Sequence, residues 1–174
     1  MDLSFPFFVR DFWKHATVID GGQDGQREIR SSVMGMEVSI TQDIVAHVIG
    51  ALNEGTFEPN SEKIKNSEVR SRILQTLFAS EGEGNSANDL CLIHKLLFKV
   101  LIKSIVPKEG GETHLSWVQR HLLLMLVEEE QIHLPAYIFN RFCEAVEEGS
   151  QKVNCLIQYC KLLSEFFHQA GLIK

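Results

Sequence analysis

Seven histidines and four cysteines are the residues of this chain best suited to metal or nucleophile chemistry. His114 and His121 stand seven apart, two turns along one expected helix, with His133 just beyond its end. Zinc-binding pairs on helices usually stand four apart, as in H-E-x-x-H, and that spacing is absent. His94 lies between Ile93 and Lys95 in an apolar run, where a partly buried, hydrogen-bonded imidazole is the simplest role. Cys155 and Cys160 form C-x4-C with His168 further on, but no second cysteine pair answers them. Free cysteines pack as small hydrophobes, and Cys143 falls on a core stripe with Phe139 and Val146. No metal, cofactor or catalytic residue is expected.

Other chemistries fare no better. There is no G-x-S-x-G elbow to activate a serine. The pairs Gly21-Gly22 and Gly110-Gly111 lack the context of a phosphate-binding loop. A two-metal nuclease needs carboxylates gathered on a sheet, whereas Asp20, Asp24, Asp43 and Glu54 read as caps, turn residues or surface charges.

Two clusters suit binding instead. Glu128, Glu129 and Glu130 end an expected helix, where acidic charge opposes the macrodipole and a basic partner would relieve it. Trp117 and Tyr137 are aromatic types that anchor interfaces when exposed, although Trp117 shares a face with Leu124 and core burial competes. Lys63, Lys65, Arg70 and Arg72 form a local basic patch diluted by Glu62 and Glu68. The net charge of −6 disfavours a broad nucleic-acid face, because phosphate contacts need clustered Lys and Arg.

The elements that must carry these residues are mainly α. Over 174 residues, 44% hydrophobic and 23% charged, the expectation is one soluble helical domain spanning 1–174, with six to seven helices and a small β-hairpin. A short helix over 7–15 turns Phe8, Phe12 and Trp13 inward. Period-2 alternation of Ile29, Ser31, Val33 and then Met36, Val38, Ile40 around Gly35 predicts the hairpin over about 27–40. Thr41 caps a helix over 42–52, and Ser61 one reaching about 79. A mobile loop follows over about 80–88. Further helices are expected over 89–105, with Leu90, Ile93, Leu97, Val100, Leu101 and Ser104 as its face, over 115–130 capped by Thr113, over 135–148, and over 153–170 ended by Gly171.

The apolar runs are broken by Lys, His or Arg before reaching the roughly 18 residues of a membrane span. The first residues lack a basic and then apolar leader. An intracellular protein, cytoplasmic or nuclear, with reduced thiols and no membrane partner is expected.

Five stretches together resemble the plant transposon protein domain family. VRDFW at 9–13 is similar to its opening V-R-E-F-Y/W. SSVMGMEVSITQDIVAHVIG at 31–50 resembles its hairpin V-R-G-x-x-V-x-F/I followed by I-N-x-x-L-G. LIHKLLFKVLIKSIVPKEGG at 92–111 resembles L-x-H-x-I-x-x-x-L-x-P-R-x-G. LSWVQRHLLLMLVEEEQIHLPAYIFNRF at 115–142 resembles a segment ending I-N-L-P-x-x-I, and CLIQYCKLLSEFFHQAGL its closing L-P-Y-G-x-L-L-T-x-x-F-x-x-x-G-V. Met34 stands where that family usually has Arg, Ala46-His47 where it has Ile-Asn, and 155–158 lack Leu-Pro-Tyr-Gly.

The resemblance implies a helical fold, plant retroelement ancestry and a gag-like role, with no active site to carry over. The expected function is therefore a non-enzymatic module for protein interaction or self-assembly, working as an oligomer or with a protein partner. Its rivals are a nucleic-acid-binding retroelement protein and an enzyme of unknown reaction.

Overall fold

The computed structural model describes residues 6–22, 25–56, 62–78, 86–102, 113–149 and 159–173, without the side chains of 62 and 63. Two compact units lie along the chain: 1–54 with 134–174, and 55–133, which is inserted between those two stretches.

In the first unit, helix α1 (Pro6–His15) opens with Pro6, whose fixed φ suits a first helical turn. It buries Val9 and Phe12. Strands β1 (Thr17–Ile19), β2 (Glu28–Val33) and β3 (Met36–Ile40) form an antiparallel sheet in the order β1-β2-β3. The expected two-stranded hairpin is therefore a three-stranded sheet. The sequence reading missed β1 because three residues are too few to show alternation; pairing with Glu28, Ile29 and Arg30 makes it a strand.

The β2–β3 turn, Met34-Gly35, places both residues at positive φ (53° and 77°), as a type I′ hairpin turn requires. Asp11 of α1 accepts a hydrogen bond from the Met34 amide at 2.7 Å, and Ser31 donates to the Phe12 carbonyl at 2.6 Å. These bonds hold α1 against β2 while Ile29, Ser31 and Val33 face inward.

Helix α2 (Gln42–Ile49) starts as expected at Thr41, whose hydroxyl accepts from the Ile44 amide. It stops at Ile49 rather than Leu52, because Gly50 turns left-handed (φ 65°) and closes the helix onto His47 and Ala46.

Helices α6 (Leu134–Gly149) and α7 (Cys160–Gln169) complete this unit, with Gly171 at φ 71° after α7. Its core is aromatic: Phe142 lies 5.8 Å from Phe12, 5.5 Å from Trp13 and 5.1 Å from Tyr159, ring centre to ring centre. Aromatic rings carry large buried area and specific edge and face preferences, which orders such a cluster.

The second unit holds α3 (Ser67–Leu77), α4 (Leu92–Val100) and α5 (Trp117–Val127), with 3₁₀ turns at Glu62–Lys65 and Ala87–Asp89. Both α3 and α4 pack on α5. The α3 cap is Asn66, accepting from the Glu68 amide, in place of the expected Ser61, which lies outside the described residues. Ser86 caps the turn before α4, so Asp89 belongs to that turn and the helix begins three residues later than expected.

Ser116, not Thr113, caps α5 through a reciprocal capping box with Gln119. The chain enters and leaves this unit side by side. Gly55, at φ 139°, sits so close to the His133 backbone that a Cβ would collide with it, and the Thr56 amide donates to the Gln131 carbonyl.

Of the expected mobile loop over about 80–88, residues 80–85 lie outside the described residues, while 86–88 belong to the turn just named. The expected start of the last helix, 153–158, also lies outside them. Among the described residues, no helix is long and apolar enough to cross a membrane.

Candidate functional site

Helix α4 carries the most unusual surface of the molecule. Leu92, Ile93, Leu96 and Val100 are 78, 61, 54 and 59% exposed. At 100° per residue they share one face and form a stripe of about two turns. The opposite side holds the helix in place: Phe98 is fully buried, and Leu90 and Leu101 flank it inside the core. His94 Nδ1 lies 3.1 Å from the Leu77 carbonyl oxygen, which locks the helix rotation at its middle.

The expected core face of this segment is thus corrected. Leu90 and Leu101 are buried as expected, but Ile93 and Val100 point outward, Phe98 and Ile102 join the packing, and Ser104 lies outside the described residues. Periodicity identifies a helix and an apolar arc, but this arc is wide enough to offer two faces. Packing on α5 and on the 3₁₀ turn before α4 selects between them.

Basic residues border the stripe. Lys99 is exposed and Lys95 is partly exposed, with its Nζ 3.4 Å from the Asn88 carbonyl. No acidic residue occurs over 91–102, although the chain has 23 acidic against 17 basic residues.

The binding residues expected from sequence fall elsewhere. Trp117 opens α5 half-buried, with the guanidiniums of Arg70 and Arg120 each over its ring at 4.6 Å from the ring centre. These cation–π contacts occupy the ring within the unit. Arg120 itself is buried, which pulls its pKa below the usual arginine range. Tyr137 is 1% exposed in α6 and burial pushes its phenol up to about 12, so it is a core residue and not a surface anchor.

Glu128 ends α5 and pairs with Arg72 at 2.8 Å. Glu129 takes the left-handed position after it (φ 57°), while Glu130 donates its amide back to the Met125 carbonyl. One pair therefore joins the acidic run to the expected basic patch. Arg70 also donates to the Ile64 carbonyl at 2.9 Å. Two of the four expected nucleic-acid contacts, Arg70 and Arg72, are thus engaged internally. Lys65 also has an interaction, and the Lys63 side chain is not among those described.

His114 precedes α5, in an isolated bridge with Ser86, so it does not share a helix face with His121 as expected. Among the described residues, no three His, Cys, Asp or Glu side chains converge on a metal-sized site. Cys91, Cys143 and Cys160 are free thiols, and Cys155 lies outside the described residues. Burial raises the Cys143 thiol to about 12, so it carries little thiolate at neutral pH.

A concavity of about 660 Å³ lies over the sheet and is lined by His15, Thr17, Glu28, Arg30, Glu37 and Ser39 among others. Its floor is already neutralised. Glu28 accepts from Ser39 at 2.6 Å and pairs with Arg30 at 2.5 Å. The Ser39 bond holds the Glu28 carboxyl below the usual range, against the opposing effect of burial. A carboxylate so held is a poor proton carrier at neutral pH. Gly22 roofs it closely enough that a Cβ would strike the carboxylate.

No family model, curated protein or solved structure matches this chain. The resemblance to the plant transposon protein domain rests on the quoted motifs.

Proposed function

We propose that the chain is a non-enzymatic protein-interaction module that docks through the outer face of α4, of the retroelement-derived kind its motifs resemble. The supporting observation is the four-residue apolar stripe left facing solvent on an otherwise anchored helix. Contiguous apolar patches on a folded surface mark interaction sites more often than scattered single residues do. Fully burying a side chain of this size contributes about 1.5–3 kcal/mol, so covering four half-exposed ones contributes on the order of 4–7 kcal/mol. Association costs are of similar size, so the stripe anchors a complex and its edges must supply the rest.

Light scattering over a concentration series, paired with retention of partners from plant extract, tests this on the native chain and on Leu96→Glu. The native chain should self-associate or retain a partner. The variant should lose that behaviour with its melting temperature unchanged, because Leu96 makes little core contact. Identical behaviour of the two proteins in both assays would overturn the reading.

A further inference from the structure

We propose that the occupant of the α4 face is an acidic amphipathic helix belonging to a different protein. This rests on the reading of that face as a docking surface and adds the chemistry of the partner. Lys95 and Lys99 are one turn apart on a single edge of the stripe, with Lys99 only about 20° around the helix from Leu92. A helix laid along the stripe meets leucine, isoleucine and valine with its own apolar side and ammonium groups along one border. Carboxylates one turn apart on the partner satisfy that border, and the uncovered lysines otherwise lose hydration without compensation.

A second copy fits less well. Two copies related by a two-fold axis at Leu96 place Leu92 of one on Val100 of the other, which suits the apolar side. The same symmetry brings the Lys95 and Lys99 edges together, and like charges at that distance repel. Nor, among the described residues, does an acidic helix with an exposed apolar face offer itself to occupy the stripe. Outside α4, the other large apolar side chains exposed among the described residues are Phe7, Met34, Met36, Leu52 and Leu126. Met34, Met36 and Leu52 lie outside helices, Phe7 is on a helix with no acid in its first turn, and Leu126 is on α5, which contains no acid. The nearest acidic residue before α4, Asp89, sits in the turn at its N-terminal end.

The test uses the full chain and two synthetic helical peptides with identical leucines at i, i+3, i+4 and i+7. One carries Glu and the other Lys at the edge positions, and phosphatidylserine vesicles serve as a third probe. Fluorescence anisotropy should show the Glu peptide binding on the order of tenfold or more tighter than the Lys peptide, with the advantage shrinking as salt rises. Lys95→Glu with Lys99→Glu should reverse the preference, and Leu96→Glu should abolish binding of both, all with native melting curves.

Equal affinity for the two peptides, or binding to vesicles alone, overturns the acidic-helix proposal. If neither peptide binds but Leu96→Glu still removes self-association or partner retention, the docking face stands and the acidic partner falls. If Leu96→Glu changes nothing in any assay, both fall.

Discussion

Helices α4 and α5 are built from nearly the same apolar vocabulary, LIHKLLFKV and WVQRHLLLMLV, and the fold treats them oppositely. Over its length α4 buries Phe98, whereas α5 buries Leu122, Leu123, Leu124 and Met125 and even takes Gln119 and Arg120 inside. The difference is the number of neighbours. α5 is packed by α3, α4 and the 3₁₀ turn at Glu62–Lys65, so little of its circumference is left for water; α4 leans on α5 and the turn before it. Of the buried polar residues on α5, Gln119 closes the capping box and the Arg120 guanidinium stacks on Trp117. Apolar content therefore says how much a helix has to offer, and the count of neighbours says how much is used.

The contrast is sharpest at single leucines. Leu123→Ala, at a fully buried site, should cost about 3 kcal/mol in urea unfolding, while Leu96→Ala on α4 should stay within about 0.5 kcal/mol. Equal losses would mean that α4 is packed more tightly than its exposure indicates. The frame that holds both helices is tested at Gly55. An alanine there meets the His133 backbone and must adopt φ 139°, and a loss on the order of 1–3 kcal/mol is expected by the same assay.

Capping comes next. Ser116→Ala removes one arm of the α5 capping box and should cost about 1 kcal/mol. Cys91, which caps α4 with no side-chain hydrogen bond, should gain up to about 1 kcal/mol as Cys91→Ser. A gain at both sites, or at neither, would break the asymmetry between the two helix starts. The smallest effect is at the end of α5. Glu129→Gly relieves a left-handed non-glycine and an acid at the negative helix terminus, and thermal melting should show a gain of about 1 kcal/mol or less.

Much of the fold was legible along the chain because its signals are local. Ile29, Ser31 and Val33 alternate, Met34-Gly35 supplies a left-handed turn, Thr41 caps α2 and Gly171 follows α7, each within a few residues of the element it shapes. The helix starts at Asn66 and Ser116 were misread by several residues, since Ser, Thr, Asn and Asp recur near each end and any of them can cap. Strand β1 was missed because a three-residue strand exists only through its partner.

The candidate site was less legible. Residue type singles out Trp117 and Tyr137, but type does not reveal that one ring is stacked against Arg70 and Arg120 while the other is sealed in the core. Periodicity with Leu90, Leu97 and Leu101 marks Ile93 and Val100 for the interior, and it assigns no role to Leu92 and Leu96. The signal that pointed the other way was present but weak: Lys95 and Lys99 on the same arc, with no acid over 91–102.

By itself the sequence determined most helix-forming segments, the hairpin turn and the helix ends at Thr41 and Gly171, all of which depend on residues within about one turn of each other. Tertiary structure alone decided which side of α4 faces inward, that Arg72 is spent on Glu128 and that Tyr137 is core. These outcomes depend on residues brought together from distant parts of the chain. Burial is a property of what lies opposite a side chain, and no periodicity along one helix records its neighbours.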